Sequence, residues 1–440
     1  MRSASGPGDP ASSIGSALNS PHRILLIWIV IVTLMAAGGV IAILAIGGGP
    51  DPSSLRAAAP LLDGQWRFHI GDDPHWADAD ADDSNWETMD LSAPASSTDG
   101  DVGLPNYLGG WMTHGHPGYH GYAWYRRTVT VPAGNLAWDI LGPTAVDHGY
   151  ELYWNGVLLG GSGRLGASPR VVGTRPMIFA LPADAAGTRA VLAIRVFAMP
   201  GGGDGIHVAP TLGPRLESQA LYRVQWWRTI AGYIVEVVEP LAMFALVGLA
   251  LVVRSRSSHP GFIVFVCIAL VLWSAKRLDN AIVSWTDLLS LPAYDWLTRV
   301  LWTPLSLTAW ALAWNRWCLR SSRAIEGATL VLGVVGVAGG AMNVMAMTRI
   351  SRVGLLALLV LIVVRMLRGS QMRILAVATF ALIVVAHYSG ELRSIGVLDI
   401  WFPFGIGVTL AQYTYAIATP LLAVLIVRTL DSKSAHLRTA

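Results

Sequence analysis

The chain has 440 residues, 53% of them hydrophobic and 13% charged, with two cysteines. Soluble domains carry about 25% charged residues, so the composition excludes an ordinary soluble protein, and with it a disordered chain or a disulfide scaffold. A net charge of +3 without a basic block also argues against nucleic acid as a partner.

Charge is segregated along the chain. Residues 51–228 hold 18 acidic and 12 basic side chains, net −6, while the rest holds 10 and 19, net +9. A water-facing segment is thus embedded in an apolar, basic remainder. Residues 1–23 are a polar Gly/Ser/Pro-rich tail. The apolar run Ile24–Ile46 is longer than a signal-peptide core of about 7–15 residues, which predicts an uncleaved anchor at 24–46 over a cleaved leader.

Residues 47–228 predict one all-β external domain. Short β-rich runs at Gln65–Ile70, Trp86–Leu91, Gly121–Val131, Tyr150–Trp154, Pro176–Leu181 and Ala190–Ala198 are separated by turn clusters. In the last run Leu192, Ile194 and Val196 alternate with Ala193, Arg195 and Phe197, the pattern of a strand with one face on a core. Asn155-Gly156 is a hairpin signal. Many short strands at such spacing predict a β-sandwich.

Residues 229–428 predict a seven-helix transmembrane bundle, since a span needs about 20 mainly apolar residues. The spans fall near 229–253, 261–283, 293–317, 327–347, 353–368, 372–394 and 404–428, of which 353–368 is short. A cytoplasmic tail, 429–440, follows. Arginine-rich loops stay cytoplasmic. With the N-terminus inside, those loops hold Arg254 and Arg256, Arg320 and Arg323, and Arg368 and Arg373; the tail holds Lys433 and Arg438. The opposite loops hold chiefly Arg349, Arg352 and Arg393. Both termini are therefore predicted cytoplasmic, with 47–228 outside. Cys267 and Cys318 read as small buried hydrophobes.

Several external motifs resemble the galactose-binding-like jelly rolls of family-two glycoside hydrolases and their relatives. Gly64-Gln65-Trp66-Arg67-Phe68, Gly71-Asp72-Asp73-Pro74 and Asp82-Asp83-Ser84-Asn85-Trp86 resemble their opening. Gly121-Tyr122-Ala123-Trp124-Tyr125-Arg126-Arg127 resembles a later strand, Asp147 through Gly156 a hairpin, and 201–210 the late glycine-rich segment. An anchor, such a domain and then seven spans resembles the bacterial seven-transmembrane receptors with diverse intracellular signalling modules. The resemblance implies a non-enzymatic sensor in the bacterial inner membrane that binds a small, carbohydrate-like ligand outside. The C-terminal output module of that family is missing, so a separate cytoplasmic signalling protein is expected as partner, besides membrane lipids.

Candidate sites follow from side-chain chemistry. His114, His116 and His120 could suggest zinc, but no carboxylate or cysteine stands at a recognised spacing. Asp78, Asp80, Asp82 and Asp83 could suggest calcium, but a helix-flanked calcium loop starting there would need Gly and Glu where Asp83 and Met89 stand. No metal or cofactor is predicted. Glycoside hydrolysis needs two facing carboxylates; Asp147 and Glu151 lie on one hairpin, the resemblance places them in structural strand positions, and the catalytic barrel that accompanies such jelly rolls in hydrolases is absent, so hydrolase activity is not expected. Aromatic faces with Arg or Asp suit a sugar, which selects Trp111, His116, Trp124, Arg126, Arg195, Asp204 and His207 as ligand-binding candidates.

Inside spans, ionisable side chains are costly and are paired or functional. Glu236, Glu239, Lys276, Arg277 and Arg299 all lie about 9–15 Å below the outer surface at 1.5 Å per residue. Glu236 and Glu239 share a helix face, as do His387 and Glu391. Matched depth predicts an ion-paired cluster in which Glu239 meets Lys276, Arg277 or Arg299. A purely structural role for the cluster is as compatible with the sequence as a switch. The same residues leave open a membrane-embedded enzyme or transporter for a lipid-linked sugar, and the external domain leaves open an envelope docking protein.

Overall fold

The computed structural model describes residues 55, 57–97, 105–143, 146, 148–166, 169–171, 175–199, 205–318, 320–369, 373–398, 400–401 and 407–438. The predicted tail 1–23 and anchor 24–46 lie outside them, as do Asp147 and Asp204.

A β region comes first. Strands β1 (Gln65–Ile70), β2 (Glu87–Asp90), β3 (Gly121–Thr130), β5 (Gly149–Trp154), β6 (Val157–Ser162) and β8 (Arg189–Ala198) form a six-stranded sheet in the order β2-β1-β3-β8-β5-β6. Strands β4 (Trp138–Leu141), β7 (Ile178–Ala180) and β9 (Thr211–Pro214) form a three-stranded sheet in the order β7-β4-β9. All pairings are antiparallel, and β3 and β8 pair over their full ten residues from Gly121↔Ala198 to Thr130↔Arg189. The two sheets share one core: Trp66, Phe68, Tyr125, Tyr150, Ile194 and Val196 from the large sheet meet Ile140, Phe179 and Leu212 from the small one. Strand alternation produces this segregation, as in β8, where Leu192, Ile194 and Val196 are fully buried while Arg195 and Phe197 stand half-buried on the other face. Asn155 and Gly156 join β5 to β6 with positive φ at both positions (46° and 81°), the geometry of a type I′ turn. β4, β6 and β9 are strands that the turn spacing did not reveal.

The rest is helical. Helix α1 (Arg215–Gly232) already begins inside the stretch predicted as all-β and packs on β4 and β9. After Tyr233 and Ile234 it continues as α2 (Val235–Arg254). Next come α3 (Pro260–Trp285), α4 (Leu291–Leu297), a π-helical turn (Thr298–Trp302), α5 (Thr303–Trp317), α6 (Arg323–Ala341), α7 (Met345–Gly369), α8 (Arg373–His387), α9 (Ser389–Ser394), a small hairpin (Ile400–Trp401 with Val408–Thr409) and α10 (Leu410–Arg438). Among the described residues five helical stretches are long and apolar enough to cross a membrane: Arg215–Arg254, Pro260–Trp285, Arg323–Ala341, Met345–Arg368 and Leu410–Leu430. Ile374–His387 is a shorter apolar helix. This is a membrane protein with a β-sheet region.

Three predicted boundaries change. The break between the spans placed at 327–347 and 353–368 falls at 342–344, where Asn343 takes a φ of 55°. The supposedly short span is therefore the 25-residue α7, because Arg349 and Arg352 sit in its first turns and not in a loop. The predicted span 372–394 stops at His387, and Glu391 lies on the separate α9. The predicted span 293–317 is interrupted by the π turn.

The helices share a second core that includes Phe262, Trp273, Trp310, Trp314, Phe380 and Tyr415. α6 approaches its neighbours through glycines. A Cβ on Gly333 would lie 2.6 Å from Thr308 Oγ1, on Gly336 2.6 Å from Ser351 Oγ, and on Gly340 2.6 Å from the Arg299 carbonyl oxygen. Any side chain there would push α6 off α5 and α7.

The β region touches the helical part directly. Arg175 pairs with Asp287 and donates to the Trp285 carbonyl (3.3 Å), at the C-terminal end of α3. Arg170 donates to the Asp287 carbonyl (3.0 Å), and the Leu291 amide donates to the Val171 carbonyl (3.1 Å).

Candidate functional site

The outward face of the large sheet gathers part of the predicted ligand set. β3 presents Tyr122, Trp124 and Arg126 on that face. Register sets Trp124 opposite Arg195, Arg195 opposite Glu151, and Tyr122 opposite Phe197. The Arg195 guanidinium donates to both Asp72 oxygens (Nε–Oδ1 2.7 Å, Nη2–Oδ2 2.5 Å) and to Glu151 Oε2 (Nη1, 3.0 Å), and lies 4.3 Å above the Tyr122 ring. Tyr153 Oη donates to Glu151 Oε2 (2.8 Å). Burial, and next the Glu151 carboxylate that its proton satisfies, hold the Tyr153 phenol well above its usual range. Tyr122 and Phe197 pack ring against ring (4.8 Å). Tyr122, Glu151, Tyr153, Arg195 and Phe197 all remain half-buried, so this strip joins aromatic surface to charged donors and acceptors at the protein–water boundary.

The other candidates are occupied by the protein itself. Arg126 is 2% exposed. It donates from Nε to Asp83 Oδ2 (3.0 Å), from Nη1 to the carbonyls of Trp76 and Asp78 (2.9 Å for the latter) and from Nη2 to the Ala81 carbonyl (3.2 Å). It pins the 71–86 segment onto the sheet. Trp124 is fully buried beneath that segment, against Trp76 and Tyr153, with Nε1 donating to Asp72 Oδ1 (3.3 Å). Trp111 is also fully buried, in the β core, and donates to the Tyr119 carbonyl (3.3 Å). His207 is buried in a stack with Tyr107 (4.9 Å), its Nδ1 2.8 Å from the Leu108 carbonyl. His116 is half-buried, with Nε2 2.8 Å from Glu87 Oε2. Among the described residues no group of three or more His, Cys, Asp or Glu could hold a metal.

Asp72, Glu151, Tyr153, Tyr122 and Phe197 were not selected from the sequence. Glu151 and Tyr153 share one face of β5, and Phe197 lies two residues from Arg195. Period two on β8 picks out Phe197 beside Arg195, but strand register is needed to bring Tyr122, Glu151 and Tyr153 to it, and Asp72 lies beyond the end of β1.

A second polar constellation lies in the helical part. Arg277 on α3 sits between both carboxylates of α2, with Nε 3.0 Å from Glu236 Oε2 and 3.1 Å from Glu239 Oε2. Trp273 Nε1 donates to Glu239 Oε1 (3.1 Å) and Gln412 Nε2 to Glu236 Oε1 (3.2 Å), which ties α2, α3 and α10 together. The Trp273 ring also packs on His387 and Tyr415 (4.7 Å each). Tyr415 Oη accepts from Trp310 Nε1 (3.0 Å) and lies 3.1 Å from His387 Nε2.

The remaining charges fall elsewhere. Lys276 is half-buried, its Nζ 5.0 Å from the Trp273 ring centre, and forms no ion pair among the described residues. Arg299 pairs with Asp295 (3.0 Å) one turn back and donates to Asn343, not to Glu239. Glu391 pairs with Arg352 of α7, since the break between helices α8 and α9 at Tyr388 carries it off the face of His387. Arg352 Nη2 also donates to the His387 carbonyl (2.7 Å).

No protein-family profile matches the chain, and no curated protein matches it. Among solved structures, a β-glucuronidase of Bacteroides uniformis is 23% identical over 35% of this chain and 17% of its own, with a TM-score of 0.26. A family 2 glycosyl hydrolase of Bacteroides cellulosilyticus is 19% identical over 36% and 20%, TM-score 0.26. A β-glucuronidase of Faecalibacterium prausnitzii is 17% identical over 36% and 31%, TM-score 0.25. The chain thus spans less than a third of the length of these solved proteins.

Proposed function

We propose that the protein is a non-enzymatic membrane receptor of the bacterial inner membrane. Its jelly-roll domain binds a saccharide outside and biases a seven-helix bundle that a separate cytoplasmic protein reads. The observation that carries this reading is the seam between the β region and the helices. Arg170, Val171 and Arg175 hold the end of α3 and the start of α4, while α1 leaves the small sheet and runs into α2. α2 and α3 are the helices that share the Glu236–Arg277–Glu239 network, so displacement of the sheets strains a buried ion triad. The ligand face is the strip of Tyr122, Glu151, Tyr153, Arg195 and Phe197. Its rings suit the apolar face of a sugar, and its charged groups suit the hydroxyls.

Calorimetry and thermal shift on the full chain in nanodiscs, against a broad panel of saccharides and cell-wall fragments, test this. At least one ligand should bind saturably, and Phe197→Ala should weaken it about tenfold while the fold is kept. A panel without a single binder removes the receptor reading. Turnover or transport of a lipid-linked sugar by the reconstituted protein would replace it with an enzyme or a carrier.

The orientation is tested separately. Arg254, Arg256, Arg316, Arg320, Arg323, Arg368 and Arg428 lie exposed toward the helix ends away from the β region, the side that the positive-inside rule keeps in the cytoplasm. Reporter fusions should be active externally near Gly161 and cytoplasmically after Leu430. External activity after Leu430 would mean that the number of crossings is off by an odd number.

A further inference from the structure

Helix α8 is short for a membrane crossing. Its 15 residues rise about 22 Å, against a hydrocarbon layer about 30 Å thick. α7 ends at Gly369 and α8 begins at Arg373, so the two helices start from one level and the shortfall lies at the His387 end.

Both neighbours of α8 measure it. Tyr388 Oη donates to the Arg352 carbonyl (2.8 Å) and Arg352 Nη2 to the His387 carbonyl (2.7 Å), so α8 ends level with Arg352 of α7. α7 reaches seven residues past that level, to Met345, about 10 Å farther toward its own start. This extension is apolar and exposed at Met345 and Ile350, as is the turn ahead of it at Met342 and Val344. On the other side the His387 ring packs on Trp273 (4.7 Å), and α3 runs on for twelve residues to Trp285, about 18 Å, toward the β region. The apolar surface of the helices thus extends well beyond the end of α8.

The chain from α9 to Trp401 follows from that end. α9 closes with the amides of Ile395 and Val397 donating to the Leu392 carbonyl (3.2 and 3.1 Å) and that of Gly396 to the Arg393 carbonyl (3.0 Å). Gly396 takes the φ of 89° that a left-handed helix cap uses. These donors are satisfied within the chain, the condition that backbone must meet in lipid. Past the cap the side chains are apolar and uncovered: Ile395 and Leu398 are 76% and 71% exposed, and Val397 and Trp401 are exposed as well. Trp401 stands edge-on to Tyr413 in the first turn of α10 (5.5 Å), a pair of the type enriched at the membrane–water boundary. Glu391 is paired with Arg352. Arg349 and Arg393, exposed near this level, have stems long enough to carry their charge to the headgroups.

We propose that the connection from α9 to Trp401 is an interfacial anchor and not an aqueous loop. Ile395, Val397, Leu398 and Trp401 lie among the acyl chains of the leaflet on the β-region side and complete the crossing that α8 leaves short. The partner is a lipid surface, and the continuity of this patch with the exposed apolar flank of α7 selects it over a second protein. The inference does not depend on the saccharide reading.

Full-length protein in phosphatidylcholine nanodiscs, carrying a nitroxide at Ile395→Cys or at Leu398→Cys, tests the proposal. Cys267 and Cys318 are buried and stay in place, and the unmodified protein taken through the same labelling is the blank. Collision of the nitroxide with oxygen reports lipid, and collision with a water-soluble nickel chelate reports solvent. Asp80→Cys, on the exposed acidic turn of the β region, is the aqueous standard, and Val334→Cys, on the exposed flank of α6, is the lipid standard. The oxygen-to-nickel ratio at 395 and 398 should be several-fold above that at Asp80 and close to that at Val334. A ratio at the Asp80 level would place the segment in water and overturn the proposal. Low collision with both reagents would mean that protein covers the patch, which overturns it equally.

Discussion

Arg277→Met should lower the stability of the helical part by about 3–5 kcal/mol, because two carboxylates then stay buried against no cation. Glu236 and Glu239 both face the one guanidinium, with side-chain exposures of 7% and 9%. Glu239→Gln should cost less, since an amide oxygen still accepts from Trp273 Nε1. The triple variant Glu236→Gln, Glu239→Gln, Arg277→Met should recover much of the loss, because no orphan charge remains. Lys276→Met should be nearly silent, in contrast to the pairing that matched depth suggested, since no acid among the described residues lies within ion-pair distance of its ammonium. Thermal unfolding of the full chain in detergent measures all of these. Strictly additive losses would mean that the carboxylates and Arg277 do not share one buried network.

Arg126→Met should also destabilise the β region, by about 2–3 kcal/mol, because buried acceptors lose a charged donor. The carbonyls of Trp76, Asp78 and Ala81 are left without their guanidinium, while the one-third-exposed Asp83 carboxylate can turn to water. Arg126→Lys keeps the charge but cannot spread it over four acceptors, so it should recover only part. Hydrogen exchange of the full chain reads this locally. Amides around Trp76, Asp78 and Trp86 should lose protection while the β3–β8 pair keeps it. Wild-type protection of that segment in Arg126→Met would show that the aromatic contacts of Trp76 and Trp86 hold it unaided.

These two arginines mark where the sequence was readable and where it was not. Strand β8 could be read residue by residue, because period-two alternation is imposed by the backbone and one face meets a core. Depth in a span could be read as well, and it selected Glu236, Glu239 and Arg277. Azimuth could not. Lys276 and Arg277 are adjacent and point about 100° apart around the helix, so only one faces α2, and counting residues does not say which. Arg299 has the right depth but sits on the π turn, where helical phase is shifted. Gln412 is neutral and Trp273 looks like packing, so neither announced its part in the network. In the β region, rarity misled: Trp111, Trp124, Arg126 and His207 stand out as unusual residues, but their side chains serve the interior. The half-buried strip around Arg195 is made of residues unremarkable one by one, which only strand register assembles.

The near-continuous run from Arg215 to Arg254 has a mechanical consequence. Forty residues at 1.5 Å each make a shaft of about 60 Å, keyed at one end to the small sheet. Each degree of tilt of a rigid shaft of that length moves its far end by about 1 Å. Two interruptions lie within it: Tyr233 and Ile234 immediately ahead of Glu236, and Pro240, which lacks an amide for the helical ladder, just beyond Glu239. For the proposed receptor, the stiffness of the Tyr233–Ile234 joint would set how much torque reaches the carboxylates: a rigid joint would gear the sheets to the helices, and a slack one would let the β region turn freely.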